Sequence, residues 1–270
     1  MRIATILTVF AAAGIAALAG PIIYVADFSD PHNYGLLDLG SGVFNPIGTV
    51  AAGEFLNGPG KSLYAIDESG NLLKVSASNG VTTTIGNLGF IADEPAGLAD
   101  GSMYVSDVAT HILYRIDPTS GLATAVGPTG FTDPANGFTI VTLVAGDTNN
   151  LYSIVESFDP NTQSIIAHAK LYQLDRASGA ATFITDLDDD NAACAAIFSG
   201  TLYLFDYTGQ IQTANLVTGA TTQLYDLSAV LNGINGVAEV PVPEPSTCLM
   251  TGLGLVAATW IARRRRARRA

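Results

Sequence analysis

The chain has 270 residues, 48 % of them hydrophobic and 13 % charged, with a formal net charge of −12. Seven of its 12 basic residues lie near the termini, so residues 20–246 hold five basic side chains against all 24 acidic ones, a formal charge of −19. Such a surface repels phosphate backbones and anionic lipid and attracts divalent cations or basic partners, which excludes nucleic-acid binding.

Residues 1–19 begin with one basic residue, Arg2, continue uncharged from Ile3 and end Ala17-Leu18-Ala19 before Gly20. A charged start, an apolar centre and a small-x-small end predict a secretory signal peptide, cleaved after Ala19 and excluded from the fold. Only Cys194 lies in residues 20–240, with Cys248 beyond, so no disulfide framework is available. Cys194, set among alanines, reads as a small buried hydrophobe.

Residues 20–240 carry an internal repeat. Ile23-Tyr24-Val25-Ala26-Asp27, Leu63-Tyr64-Ala65-Ile66-Asp67 and Met103-Tyr104-Val105-Ser106-Asp107 align, and Leu151-Tyr152-Ser153-Ile154 and Leu202-Tyr203-Leu204-Phe205-Asp206 complete the set. Successive starts are 40, 40, 48 and 51 residues apart. Each is followed by a second apolar strand: Tyr34–Asp38, Leu72–Ser76, Leu113–Asp117, Leu171–Asp175 and Ile211–Asn215. Each second strand closes at a Ser/Thr/Asn-Gly turn, and a Thr-rich third strand comes next, as in Val81–Ile85, Leu122–Val126 and Ala220–Leu224. A weaker fourth strand is read at Pro95–Ala99, Ile140–Ala145 and Ala195–Ser199.

Short Tyr-, Val-, Ile- and Thr-rich segments between glycine turns predict antiparallel strands. A period of about 40–50 residues with three or four strands each marks a β-propeller. The expected fold is therefore all-β, a propeller of five blades of about four antiparallel strands over residues 20–240. The first repeat lacks a strand before Ile23, and the spare segment Ile234–Val240 is expected to pair there and seal the ring. The fourth repeat carries an insertion around Val155–His168 that breaks the pattern and drops the aspartate, a departure that fits either a binding face or loop drift.

The tail has three parts. Residues 241–246 contain Val242-Pro243-Glu244-Pro245, which cannot continue a helix and separates the body from the apolar run beyond it. That uncharged run, Ser246–Ala262, has 17 residues and sits at the short end of a bilayer-spanning helix, and the span is assigned to residues 247–262. Arg263-Arg264-Arg265-Arg266 opens the basic segment 263–270, which keeps the C-terminus cytoplasmic under the positive-inside rule.

The order of Val242-Pro243-Glu244-Pro245, apolar span and arginine cluster resembles the PEP-CTERM sorting signal of bacteria that make extracellular polysaccharide. The resemblance implies an exosortase partner, anchoring in the inner membrane before processing, and a destination in the cell envelope or extracellular matrix. An ordinary single-pass tail anchor is the plainer alternative. The Leu-Tyr-x-x-Asp and Asp-x-x-Ser-Gly patterns resemble the NHL, YVTN and lactonase-like propeller group, which implies architecture but no activity, because such repeats occur in enzymes and binding proteins alike.

Chemistry is sparse. His32, His111 and His168 show no H-x-x-x-H or H-E-x-x-H spacing and are expected at the surface. Neither a G-x-S-x-G elbow nor a glycine-rich phosphate loop is present. Asp27, Asp67, Asp107 and Asp206 end equivalent strands. They either cap turns or converge on a hard cation such as Ca²⁺ at one mouth of the channel. Asp186-Leu187-Asp188-Asp189-Asp190-Asn191 lacks the order of a calcium loop and reads as a solvated acidic loop. The expected role is non-catalytic binding or scaffolding toward a glycan or envelope protein. The alternative is an extracellular lactonase- or lyase-like enzyme with a divalent cation in the channel.

Overall fold

The computed structural model describes residues 20–135, 137–145, 149–159, 161–162, 164–189 and 191–240. The expected signal peptide, residues 1–19, and the tail from residue 241 onward, with its expected sorting signal and span, lie outside the described residues.

Twenty strands form five four-stranded antiparallel sheets. Blade 1 runs, from inside outward, β20 (Gly236–Glu239), β1 (Ile22–Ala26), β2 (His32–Asp38) and β3 (Val43–Val50). Blade 2 is β4 (Glu54–Asn57), β5 (Leu63–Ile66), β6 (Asn71–Val75) and β7 (Thr82–Asn87). Blade 3 is β8 (Ala96–Gly97), β9 (Met103–Ser106), β10 (Ile112–Ile116) and β11 (Ala123–Pro128). Blade 4 is β12 (Phe138–Ala145), β13 (Leu151–Phe158), β14 (Ile165–Leu174) and β15 (Ala181–Asp186). Blade 5 is β16 (Ala192–Phe198), β17 (Thr201–Asp206), β18 (Gln210–Ala214) and β19 (Thr221–Asp226).

Contacts between inner strands run β20, β4, β8, β12, β16 and back to β20, so the ring is closed. The weak fourth strand of each repeat belongs to the next blade, as its innermost strand. The closing strand predicted from Ile234–Val240 is β20, antiparallel to β1 with Val237 opposite Val25.

Core and patterning follow from this geometry. A strand between two blades has both faces buried, because successive side chains point to opposite sides of the sheet. On β5, Leu63 and Ala65 pack toward Tyr24 and Tyr34 of blade 1, while Tyr64 and Ile66 pack toward Met103 and Val105 of blade 3. The result is a continuous apolar run rather than an alternating one. Five such clusters fill the five interfaces between blades. The outermost strands are partly exposed, which is why they read as threonine. All five outermost pairs carry a one-residue register shift at the same place, between Tyr34 and Gly35 in blade 1 and between Ile211 and Gln212 in blade 5, for example. A repeated bulge of this kind twists the open edge and discourages edge-to-edge pairing.

Inner strands crowd at the axis, so their side chains are small there. A Cβ at Gly97 would overlap the carbonyl oxygen of Asn57 on the adjacent inner strand β4. We expect Gly97→Val to cost about 1–3 kcal/mol through overpacking. It should lower the urea midpoint without changing the slope. Gly48→Ala, whose Cβ meets nothing closer than 3.7 Å, should stay within about 0.5 kcal/mol of the wild-type protein.

Candidate functional site

The upper face is the end at which the inner strands begin. Ala26 pairs with Gly236, Ile66 with Glu54 and Asp206 with Ala192, so the turns after β1, β5, β9 and β17 share that face. Asp27, Asp67, Asp107 and Asp206 therefore all lie there, one each on blades 1, 2, 3 and 5.

Each of the four carboxylates is engaged in its own turn. Asp27 accepts hydrogen bonds from Ser29 N at 3.0 Å, Asn33 N at 2.7 Å and Asn33 Nδ2 at 2.8 Å, and from Asn232 N at 3.2 Å. Burial alone would raise its pKa, but these hydrogen bonds hold it below the ordinary carboxylate value. Asp67 accepts from Ser69 N and Asn71 N, both at 2.9 Å. Asp107 accepts from Ala109 N at 3.0 Å and Thr110 Oγ1 at 2.6 Å, and Asp206 from Thr208 N at 2.8 Å and Gln210 N at 2.7 Å. Among the described residues, no three His, Cys, Asp or Glu side chains form a group that could hold a metal ion.

A second set of acids sits closer to the axis. Glu54 lies three residues before Asn57, and Glu94 three before Gly97, at the same register as Thr142, Cys194 and Gly236 of the other inner strands. Burial pushes the Glu54 carboxyl up to about 8, with further upward pressure from Asp93, Glu68 and Asp67. Asp93, 9 % exposed, is likewise pushed up to about 8 by burial, against one backbone hydrogen bond from Val141, with Asp107 and Asp133 adding to the rise. Burial and then the charges of Glu54 and Asp93 hold Glu94 well above its usual range. Glu54 Oε2 and Asp93 Oδ2 are buried without a hydrogen-bond partner. The Cys194 thiol is buried and held protonated by its surroundings and by Glu94.

Two further parts complete this mouth. Blade 4 lacks the aspartate turn; β13 and β14 continue as a hairpin, which accounts for the insertion after Val155, and Glu156 is only 2 % exposed. From the turn of blade 5, Tyr207 packs against Phe28 with ring centroids 5.3 Å apart and the planes tilted by 31°. Its ring is 44 % exposed, yet burial of its hydroxyl, followed by the charges of Glu94 and Glu156, raises its pKa.

The lower mouth differs in character. A cavity of about 190 Å³ is lined there by small residues of all five inner strands, including Ala96, Gly97, Ala145 and Ala196. Lys61 Nζ meets Glu239 Oε1 at 2.7 Å, and the Asn57 side chain exchanges hydrogen bonds of 2.8 and 2.9 Å with the Glu239 backbone.

Glu54, Asp93 and Glu94 are missing from the sequence-based candidates because β4 carries no strand signature of its own and β8 is only two residues long. One signal is present: Glu54 and Glu94 stand 40 residues apart, the repeat spacing itself. His111 corrects an expectation, since it is 4 % exposed rather than at the surface. Its Nε2 lies 3.1 Å from Asp133 Oδ1. In the acidic loop, Asp189 is 6 % exposed and accepts a 3.1 Å hydrogen bond from Gln212 Nε2, so that loop is not fully solvated.

The raised carboxyls carry a signed consequence. The folded protein retains protons on Glu54 and Asp93 that the unfolded chain releases near its ordinary values of 4.5 and 3.8. Stability therefore falls as pH rises from about 4.5 to about 8 and levels above that. Thermal melts across this window should show the decline. Glu54→Gln should flatten it and raise the midpoint at pH 8 by about 2–4 °C for each kcal/mol relieved. In contrast, Asp206→Ala should destabilise at pH 7 by about 0.5–1.5 kcal/mol, because the partly buried amides of Thr208 and Gln210 lose their acceptor.

Comparison with known proteins gives three results. Residues 241–266 match the PEP-CTERM protein-sorting motif. No curated protein matches the chain. Among solved structures, a protein of unknown function from Bacteroides thetaiotaomicron aligns at a TM-score of 0.50 and 15 % identity, covering 68 % of this chain and 53 % of that one. This chain thus spans about half that protein's length, and the likeness is one of fold. A chain in a nidogen/laminin complex aligns at 0.49 and 11 % identity, covering 80 % of this chain and 97 % of that one. A gluconolactonase of Xanthomonas campestris aligns at 0.45 and 11 %, covering 77 % of each. The chain carries a PEP-CTERM sorting motif behind a five-bladed β-propeller of four-stranded antiparallel blades.

Proposed function

We propose that this is an exported, exosortase-sorted protein of the cell envelope or extracellular matrix whose propeller binds its ligand, without catalysis, at the acidic upper mouth. The sorting motif implies export, membrane anchoring before processing and recognition by an exosortase. The observation that carries the binding site is the placing of Glu54 and Glu94 at equivalent positions on the inner strands of blades 2 and 3, with the buried Asp93 next to Glu94 in the chain, on the face that also bears the turns and the blade 4 hairpin. Buried carboxyls without partners are costly, and a fold retains them where something else depends on them. Glycans and envelope proteins are the candidate ligand classes.

A second reading is a lactonase- or lyase-like enzyme using a divalent cation such as Ca²⁺ in the channel, although no three acidic or histidine side chains among the described residues form a group that could hold one. Carboxylates are the donors such an ion prefers, and ionising them on binding would release the protons they hold.

Fractionation of the native host separates these readings. Asp93→Asn with Glu94→Gln should leave export and processing intact but release the protein from the exopolysaccharide and envelope fraction into the medium. Replacement of Arg263, Arg264, Arg265 and Arg266 by alanine should instead leave unprocessed protein in the membrane. Calcium-dependent turnover of lactone substrates by the full-length protein, lost in the same double variant, would favour the enzyme.

A further inference from the structure

We infer that the upper face carries a carbohydrate site between blades 5 and 1, where a neutral sugar unit lies against the Tyr207 ring and is held at its hydroxyls by Asn33, Ser228 and Asn232. This names a ligand class for the binding reading above and rests on it.

A cavity of about 350 Å³ opens there, between the turns after β1 and β17 and the segment 228–233 that leads to β20. Its volume falls within the range of small-molecule sites, about 300–1,000 Å³. Tyr207 lines it, 44 % exposed and packed against Phe28, with its hydroxyl as the buried end of the side chain. The residue therefore shows ring surface rather than a polar tip. Gly233, at a φ of +71°, makes room for the aromatic pair, since a Cβ there would overlap Tyr207 O and the Phe28 ring. The rim is held as firmly. Asn232 donates its N–H to Asp27 at 3.2 Å and accepts from Phe28 N at 3.0 Å, while the residue itself is exposed. Asn33 Nδ2 donates to Asp27 at 2.8 Å and to Ser29 Oγ at 3.2 Å, so its Oδ1 is the end offered to a donor. Ser228 is exposed and its hydroxyl can both donate and accept.

This lining selects its ligand by elimination. Among the described residues that form it there is no lysine, arginine or histidine, so an anion finds no countercharge. Its one carboxylate, Asp27, is fully buried and already accepts five hydrogen bonds, so a cation finds no free charge either. An apolar ligand would strip water from the amides and hydroxyls without replacing their hydrogen bonds. A sugar meets each demand. Hydroxyls around its edge donate and accept, and a face of C–H groups lies on the aromatic ring.

Oligosaccharides released from the host exopolysaccharide by partial acid hydrolysis, parted by anion exchange into a neutral and an acidic pool, serve as probes. Isothermal titration of the full-length protein should show saturable binding of the neutral pool. Saturation-transfer NMR, irradiating aromatic protons, should carry signal to the sugar C–H protons. Apparent affinity should fall about fivefold or more in Tyr207→Ala and about threefold in Ser228→Ala, and stay within about twofold in Tyr207→Phe, which keeps the ring. Melting curves check that each variant is folded. Equal binding by Tyr207→Ala would overturn the proposal, and so would preference for the acidic pool. Binding of neither pool, with matrix retention still lost in the Asp93→Asn, Glu94→Gln protein, would overturn the ligand class and leave the binding reading standing. Failure of both would remove the upper face as a site.

Discussion

The antiparallel pairing of β20 with β1 is the constraint on which the rest of the molecule depends. It joins the two ends of residues 20–240 into a single blade, and both ends of the joint are pinned. On the upper face the Asp27 carboxylate reaches 205 residues along the chain to accept from Asn232 N, and Asn235 N donates to Ala26 O at 2.8 Å. On the lower face Asn57 and Lys61 of blade 2 hold Glu239. Every inner strand then has two inner-strand neighbours, which cover the edges that an open arrangement would leave exposed.

Closure of five strands about one axis sets what the axis can contain. In the lower half, alanine and glycine allow backbones to approach until a single added Cβ would collide. The upper half is occupied by carboxyls, in a region poor in compensating charge. Such groups reduce their cost by staying protonated, since desolvation and like-charge neighbours both oppose ionisation. The two rings of acids on the upper face differ for the same reason. Asp27, Asp67, Asp107 and Asp206 find backbone donors in their turns, whereas Glu54 Oε2 and Asp93 Oδ2 are buried without a hydrogen-bond partner.

Legibility in the sequence tracks the physics of each element. The strands β1, β5 and β9 carry apolar runs buried on both faces, and the glycine turns that follow the next strand in each blade are all in the left-handed region from Gly42 to Gly219. The ring closure at Ile234–Val240 is visible as a strand without a partner. The inner strands are faint, because crowding at the axis selects small residues and shortens β8 to Ala96 and Gly97, which erases the hydrophobic signal. Glu54 and Glu94 are hidden with them. Symmetry draws attention to the repeating aspartates, although their repetition reflects a turn that each blade must make. The blade 4 hairpin looks like a loop in the sequence, since its strands simply continue past the point where the other blades turn.

Blade 1 also bears on how the fold is reached. It takes its innermost strand from the last residues of the propeller and its other three from the first, so a chain emerging from its N-terminus can complete blades 2 to 5 while blade 1 still waits. Ile23 and Val25, both wholly buried at the end, keep an unpaired edge beside them throughout that interval. Vectorial synthesis or translocation thus leaves one seam open until Glu239 arrives. That seam is where a holding chaperone would bind and where two unfinished chains would exchange strands.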